Sequence, residues 1–208
     1  MRIHMLGQNV TVLGPGNRYV IWVQGCKRRC EGCIAPEAQP LDGGYECKVE
    51  ELAETVLKQK DIDGLTISGG EPFLQCKELA DMLDIVEAKE DLGVIVYTGN
   101  IYEDLLEDAK KDKEIARFLS HIDLLIDGSY IKALDDNKSL RGSSNQRVIP
   151  LTKRYEKEAK TLYGQPGRSV EVRIEGSSIR SIGVPGDDFK SMNASAEFKK
   201  FIKNKKEK

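Results

Sequence analysis

The sequence predicts an α/β fold built on a mostly parallel sheet, with a small β-hairpin added near the C-terminus. Short runs rich in Val and Ile alternate with segments whose apolar residues recur at helical spacing. Because strands and helices follow each other in turn, a parallel sheet with helices outside it is favoured. After Pro150 the pattern changes: Val170, Val172 and Ile174 alternate before an EGSS turn, which predicts the hairpin.

Size and charge favour one compact enzyme domain with a small extension. The chain has 208 residues, long enough to bury a sizeable core. Its 32 basic and 34 acidic side chains give a net charge of -2, so no strong field favours nucleic acid or a membrane surface as a partner. The sequence shows neither a signal-peptide pattern nor an apolar run of membrane-spanning length, so we expect a cytoplasmic protein.

The first half of the chain predicts strands, a cysteine loop and two helices. The runs NVTVLG and YVIWVQG are typical of strands, and the GPGNR between them marks a turn. Apolar residues recur at helical spacing across residues 48–60 and again across residues 77–89. Between these two helices, LTISGGEP predicts a short strand that ends in glycines.

The second half continues the alternation and then loses it. GVIVYTG predicts a strand, IYEDLLEDAKK and EIARFLSHI predict helices, and IDLLID predicts another buried strand. We therefore expect a core domain over residues 1–150, a β-rich extension over 151–190, and a lysine-rich, frayed tail over 191–208.

Polar and thiol side chains follow several of the predicted strands. Parallel sheets place their working residues at the carboxyl ends of strands. Cys26, the SGGEP turn, Thr98 and Asp127 all stand at such positions. We expect them to share one edge of the sheet.

Three of the five cysteines form a C-x3-C-x2-C pattern, Cys26, Cys30 and Cys33. In a reducing compartment such a cluster indicates a metal site more than a disulfide framework. Three thiolates can hold three irons of a 4Fe-4S cubane and leave the fourth iron open, whereas a structural zinc site needs four protein ligands. Zinc stays an alternative because Cys47 or His4 can supply a fourth ligand.

The TISGGEP segment offers a second candidate site. A Gly-Gly turn at a strand end exposes backbone groups to a ligand, and Glu71 can pair with a cationic amino group. Alone, this signal is weak, since most strand-ending Gly-Gly pairs are only tight turns.

Six motifs follow one another between about Val10 and Ile149: GPGNR, WVQGCKRRCEGC, ISGGEP, VYTG, LLIDGSY and LRGSSNQR. Together they resemble the radical S-adenosylmethionine superfamily, and most closely the activating enzymes of anaerobic ribonucleoside-triphosphate reductases. The resemblance implies that the core is a partial (βα)6-type radical S-adenosylmethionine barrel. Ile34 and Asn100 depart from the pattern, since those activators usually carry aromatic residues there.

The resemblance also implies a role for each candidate site residue. The three cysteines would ligate one 4Fe-4S cluster, whose open iron binds the amino and carboxylate groups of S-adenosylmethionine. The Gly-Gly-Glu turn would meet the methionyl amino end, and two later strand-end residues would reach the ribose or the substrate. In chain order these residues are Cys26, Cys30, Cys33, Gly69, Gly70, Glu71, Thr98 and Asp127.

The activity implied by the resemblance is glycyl-radical generation. Flavodoxin or ferredoxin would reduce the cluster, and cleavage of S-adenosylmethionine would give methionine and a 5'-deoxyadenosyl radical. That radical would abstract a Cα hydrogen from a glycine of the partner, an anaerobic ribonucleoside-triphosphate reductase. Two alternatives stay open: a radical S-adenosylmethionine enzyme that modifies a small molecule or peptide, and a structural zinc or redox-sensing protein.

Overall fold

A seven-stranded sheet forms the centre of the protein in a computed structural model, which describes residues 1–162, 165–175, 178–187 and 189. Its strands are β1 (Arg2–Val10), β2 (Arg18–Val23), β3 (Tyr45–Glu46), β4 (Gly64–Gly69), β5 (Gly93–Tyr97), β6 (Leu124–Asp127) and β7 (Arg147–Pro150). They lie in the order β3-β1-β2-β4-β5-β6-β7. The central strands β2, β4, β5 and β6 are parallel, and β1, β3 and β7 are antiparallel to their neighbours. The predicted α/β fold with a mostly parallel sheet is confirmed.

Most of the helices cover one face of this sheet. The helices are α1 (Val49–Leu57), α2 (Cys76–Glu87), α3 (Tyr102–Ala109), α4 (Lys113–Ser120) and α5 (Glu156–Leu162). Their apolar residues, spaced three or four apart, form one stripe per helix, and the stripes of α1, α2 and α4 pack on the sheet. The core on this face includes Leu52, Val56, Leu79, Leu83, Val86 and Phe118 against Ile21, Ile67, Val94, Val96 and Leu125.

The opposite face is covered only in part. Ile95, Leu124 and Ile126 pack against Tyr155 and Ala159 near and within α5. Elsewhere on this face apolar side chains also point away from the helices, which explains why the parallel strands are largely apolar. The uncovered remainder of this face holds the cavity described below.

A second, two-stranded sheet lies in the C-terminal part of the chain. Strand β8 (Glu171–Glu175) pairs antiparallel with β9 (Ser178–Ile182), so the predicted hairpin is confirmed. It is fastened to the chain just after β1, because Glu171 accepts hydrogen bonds from the Thr11 backbone N–H at 2.6 Å and the Thr11 hydroxyl at 2.9 Å. The predicted domain limits at residues 150 and 190 stay predictions, and the predicted tail, 191–208, lies outside the described residues.

Arg18, the last residue of the GPGNR motif, is fully buried at the amino-terminal ends of β4 and β5. Its guanidinium donates to the carbonyls of Leu65 and Gly93, and it lies 2.6 Å from the Tyr155 hydroxyl. Burial lowers the pKa of Arg18 from its ordinary value. The motif is therefore structural here: Arg18 satisfies backbone carbonyls at the end of the sheet opposite the cysteines.

The strand predicted over NVTVLG is wrong beyond Val10, where β1 ends, and β3 was not predicted from the sequence. Strand β7 and helix α5 were not predicted either. Strand β7 lies at the sheet edge directly after the LRGSSNQ segment, and α5 lies in a highly charged stretch. Only Tyr155 and Ala159 of that region are buried, so its apolar stripe is too narrow to show helical periodicity. Among the residues described, no helix combines the length and apolarity needed to cross a membrane.

Candidate functional site

A cavity of about 730 Å³ lies at the carboxyl ends of the four parallel strands. Residues that follow β2, β4, β5 and β6 line it, as expected for a sheet of this type. All the predicted site residues except one reach this cavity: Cys26, Cys30, Cys33, Gly69, Gly70, Glu71 and Thr98. The exception is Asp127.

The cysteine loop is fixed to the chain by backbone hydrogen bonds at its start. The Gly25 N–H donates to the Ala38 carbonyl at 2.8 Å, and the Cys26 N–H donates to the Gln39 carbonyl at 2.9 Å. Gly25 and Gly32 have φ of 100° and 73°, a region that residues with a Cβ rarely adopt. These turns let three thiols from one short loop face a common space.

The thiols fit a cluster better than a single metal ion. All three are free. Within the described part of the chain, no group of three or more His, Cys, Asp or Glu is arranged to hold one ion. A zinc site requires ligands converging to about 2.0 to 2.3 Å from one point, whereas thiolates around a cubane bind different irons and stay apart. Of the two candidate fourth zinc ligands, Cys47 does not line the cavity, whereas His4 lines it and bonds through Nδ1 to Gln24 at 3.0 Å.

The surroundings of Cys30 disfavour the ionised form of its thiol. Burial raises the pKa of the Cys30 thiol, and the neighbouring Cys33 and Cys26 raise it further. The Tyr130 backbone N–H and the Arg28 guanidinium act in the opposite direction. Three ionised thiols so placed would repel one another, and bound iron would relieve that repulsion.

The glycine pair at the end of β4 lets this strand lie directly against the cysteine loop. Gly69 has φ of 105°, and a Cβ there would lie 2.5 Å from the Val23 backbone nitrogen. A Cβ on Gly70 would lie 2.7 Å from the Gly25 carbonyl carbon. The Glu71 N–H donates to the Gly25 carbonyl at 2.8 Å, so the turn and the loop form one rigid unit.

Glu71 is a buried side chain in the cavity wall, with 5 % of its surface exposed, and it is held by several hydrogen bonds. Its carboxylate accepts hydrogen bonds from the Thr98 hydroxyl at 2.7 Å, the Gly99 N–H at 2.9 Å and the Phe73 N–H at 3.1 Å. The Arg28 Nε lies 3.6 Å from its Oε2. Neutral donors and the nearby Arg28 fix the orientation of the carboxylate, and its negative charge can also pair with a cationic ligand. Thr98, a predicted cofactor contact, here orients Glu71.

Arg28 was not among the predicted site residues. It reaches from the cysteine loop across the strand ends, donating to the Ser129 hydroxyl at 3.0 Å and to the Asn100 side-chain oxygen. Gly99 makes room for it, because a Cβ there would lie 2.5 Å from Arg28 Nε. The sequence shows three consecutive basic residues in the loop but not which one faces the cavity.

Asp127 has a different environment from the other predicted residues. It is fully buried and its carboxylate accepts from the Tyr102 N–H at 2.9 Å and from Arg147 Nε at 3.0 Å. Arg147 also binds Glu103, at 2.9 and 2.6 Å. These contacts connect β6, α3 and β7, and they give Asp127 a structural role outside the cavity wall.

The LRGSSNQR motif braces the loop that follows β6. The Asn145 amide donates to the Ser129 carbonyl at 2.8 Å, and the Gln146 amide donates to the Gly128 carbonyl at 2.7 Å. That loop carries Tyr130, whose N–H is directed at a cysteine thiol. The motif therefore supports the cavity wall, and its residues Gly142 and Gln146 also line the cavity.

A hydroxyl without a partner lies in the apolar part of the cavity. Tyr97, at the end of β5, has a buried hydroxyl with no hydrogen-bond partner among the described residues. Burial raises the pKa of Tyr97. It packs near Leu13, Trp22 and Ile182, and all four line the cavity. Since buried polar groups are nearly always hydrogen-bonded, we expect the Tyr97 hydroxyl to bond to a ligand or a water molecule in the cavity.

Comparison with known proteins identifies the family of the chain. The profile of the family described as 4Fe-4S single cluster domain matches residues 12–149. The chain belongs to this family of iron-sulfur proteins.

Its relatives are activating proteins. The chain is 32% identical over 142 residues to the anaerobic ribonucleoside-triphosphate reductase-activating protein of Enterobacteria phage T4, covering 66% of this chain and 86% of that one. It is 31% identical over 146 residues to the protein of the same name from Haemophilus influenzae, covering 65% and 88%. The pyruvate formate-lyase-activating enzyme of Listeria monocytogenes is 28% identical over 155 residues, covering 71% and 60%. The resemblance predicted from the motifs is confirmed.

Among solved structures, QueE from Escherichia coli matches with a TM-score of 0.40 and 19% identity, covering 48% of this chain and 52% of that one. This similarity is too distant to support any argument about the site.

Proposed function

We propose that the protein is a radical S-adenosylmethionine enzyme that generates a glycyl radical on an anaerobic ribonucleoside-triphosphate reductase. One observation carries the proposal: three free thiols and the buried Glu71 line a single cavity, in a chain 32% identical to a reductase-activating protein. The sheet is then the partial (βα)6-type barrel expected from the motifs. The free thiols and the oxygen-sensitive chemistry suit a reducing cytoplasm.

Cys26, Cys30 and Cys33 would hold one 4Fe-4S cluster. When bound and reduced, the cluster supplies the electron that cleaves a carbon-sulfur bond of S-adenosylmethionine, yielding methionine and a 5'-deoxyadenosyl radical. Flavodoxin or ferredoxin is the proposed electron donor. Basic residues of the cysteine loop, Lys27 and Arg29, are exposed and offer an acidic donor a docking site.

The Gly-Gly-Glu turn would bind the methionyl end of the cofactor. The buried Glu71 carboxylate gives the ammonium group a charge-assisted hydrogen bond. Arg28 lies 3.6 Å from it, so the site presents an anion and a cation side by side. This arrangement is complementary to a zwitterionic amino-acid group.

The apolar part of the cavity would protect the radical. Leu13, Trp22 and Ile182 exclude water from the space beside the thiols, and water exclusion suppresses side reactions of reactive intermediates. In hydrogen transfer, the glycine Cα–H bond breaks, the hydrogen atom joins the 5' carbon, and the unpaired electron stays on Cα. The chain has only to position the two carbons and keep other hydrogen donors away.

The test is radical formation on the partner. Reconstituted protein, S-adenosylmethionine, a low-potential reductant and purified reductase are mixed without oxygen and examined by electron paramagnetic resonance. We expect a glycyl radical signal on the reductase that requires S-adenosylmethionine, is lost in Cys33→Ser and is retained in Cys47→Ser. If 5'-deoxyadenosine forms but no reductase radical appears, the small-molecule or peptide alternative replaces this proposal.

A further inference from the structure

One wall of the cavity comes from outside the family match. The match ends at residue 149, yet residues 180–185, at the end of β9 and just beyond it, line the same cavity as the cysteines. We refer to residues 180–185 as the C-terminal wall. It gives the cavity a boundary that the matched core does not supply.

The C-terminal wall is held in place by buried apolar contacts. Ile182 is 3% exposed and packs with Val10, Leu13 and Trp22 on the sheet face that carries the cavity. Gly183, with φ of 117°, lets the chain turn closely here, because a Cβ would lie 2.6 Å from the Ser169 carbonyl oxygen. The wall is thus part of the folded core, not a loose cover.

A buried arginine joins this wall to the other side of the cavity. The Arg168 side chain is 2% exposed and forms an ion pair with Asp135 at 2.9 Å. It also donates to the carbonyls of Pro185 at 3.2 Å, Gly142 at 2.9 Å and Lys138 at 3.0 Å. A buried cation with this many acceptors holds the C-terminal wall against the loops that follow β6.

The two ends of the cavity differ in chemistry. The end formed by the cysteine loop and Glu71 carries thiols and charges, which suit the proposed cluster and the zwitterionic cofactor. The C-terminal wall begins with the polar residues Arg180 and Ser181 and then presents the half-buried apolar side chains of Val184 and Pro185. The polar cofactor end leaves this apolar surface for another occupant.

We infer that the C-terminal wall contacts the glycine-bearing segment of the partner and determines which segment enters the cavity. The inference rests on the proposed function and adds a specificity element to it. The apolar part of this wall, Val184 and Pro185, suits an extended segment of small or apolar residues. A wall that contacts the partner but not the cofactor affects radical transfer separately from cofactor cleavage.

The test separates these two steps with one side chain. Val184→Trp narrows the cavity, and Val172→Trp, at a position 42% exposed on β8 and outside the cavity lining, is the matched control. Cofactor cleavage is measured as 5'-deoxyadenosine without partner, and transfer is measured as glycyl radical with partner. For Val184→Trp we expect unchanged cleavage and transfer lowered about tenfold, about 1.4 kcal/mol. Val172→Trp should change neither.

A second variant with a smaller side chain controls for misfolding of Val184→Trp. Val184→Ala introduces no clash, and we expect it to lower transfer roughly fivefold, about 1 kcal/mol, at unchanged cleavage and unchanged melting temperature. Normal transfer in both Val184 variants would overturn the inference, and so would an equal loss of cleavage and transfer. Absence of cleavage in the wild-type protein would instead contradict the proposed function itself.

Discussion

Replacing Glu71 by Gln tests the charge of the candidate cofactor site while preserving its shape. The carboxylate now accepts from Thr98, Gly99 and Phe73 and lies beside Arg28. The amide of Gln retains one acceptor oxygen but presents an NH2 group to the Gly99 N–H. That N–H would lose its acceptor, and the site would lose its negative charge.

The magnitudes follow from these contacts. An unpaired buried N–H costs about 1 to 3 kcal/mol of folding stability, which lowers the melting temperature by roughly 2 to 12 °C in a chain of this size. Loss of a hydrogen bond to a charged group costs about 1.5 to 3 kcal/mol of binding, so affinity for S-adenosylmethionine should fall about 10- to 150-fold. Iron content should stay normal because no cysteine ligand changes.

The assay is equilibrium binding of S-adenosylmethionine to reconstituted protein without oxygen, with iron, sulfide and melting temperature measured on the same samples. Glu54→Gln is the control, since it removes the same charge from an exposed helix position where the carboxylate pairs with Lys58 at 3.4 Å. Unchanged affinity in Glu71→Gln at normal iron content would remove Glu71 from the binding site. Loss of iron would mean that Glu71 acts by supporting the cysteine loop.

Three further outcomes are expected. Gly70→Ala places a Cβ 2.7 Å from the Gly25 carbonyl carbon, so we expect about 1 to 3 kcal/mol of lost stability and reduced iron retention. Normal stability and normal iron content would refute the close packing of the turn against the cysteine loop. Asp127→Asn weakens the contact with the half-exposed Arg147, so thermal unfolding should show about 1 to 3 kcal/mol of lost stability. We expect unchanged affinity for S-adenosylmethionine in this variant. Weaker cofactor binding would instead support the cofactor-binding role predicted from the sequence. Burial raises the pKa of Cys76 to about 12 from an ordinary value of 9.0. Its contribution to stability is therefore complete below pH 9.0 and is lost as pH rises toward about 12. In denaturant titrations, the free energy of unfolding of Cys76→Ala should fall less steeply with rising pH in this range than that of the wild type. An equal fall in both proteins would contradict the raised pKa.

The sequence predicted the elements that carry strong local signals. Strands β2, β4, β5 and β6 are largely apolar runs with most residues buried, and α1 and α2 have apolar stripes wide enough to show their period. Helix α5 buries little, and β7 is a half-buried edge strand, so neither left a clear pattern. The hairpin was predicted by its alternation, but its place against β1 depends on long-range contacts.

Some residues of the site were predicted from the sequence and others were not. The sequence predicted that the three cysteines and the Gly-Gly-Glu turn lie together, because both follow parallel strands, and these strands are neighbours in the sheet. The orientation of Arg28 and the orphan hydroxyl of Tyr97 depend on side-chain packing that no local pattern encodes. Asp127 follows a strand like the others, yet its carboxylate is directed to α3 and β7 and not to the cavity.

The most direct test of the account is the reductive cleavage of S-adenosylmethionine. The protein is reconstituted with iron and sulfide, reduced with dithionite without oxygen, and assayed for 5'-deoxyadenosine in the wild type, Cys30→Ala and Cys47→Ala. We expect product in the wild type and Cys47→Ala, and neither product nor a full iron complement in Cys30→Ala, because two thiolates do not retain the cubane well. A native protein that contains zinc but no iron and forms no 5'-deoxyadenosine would contradict the account.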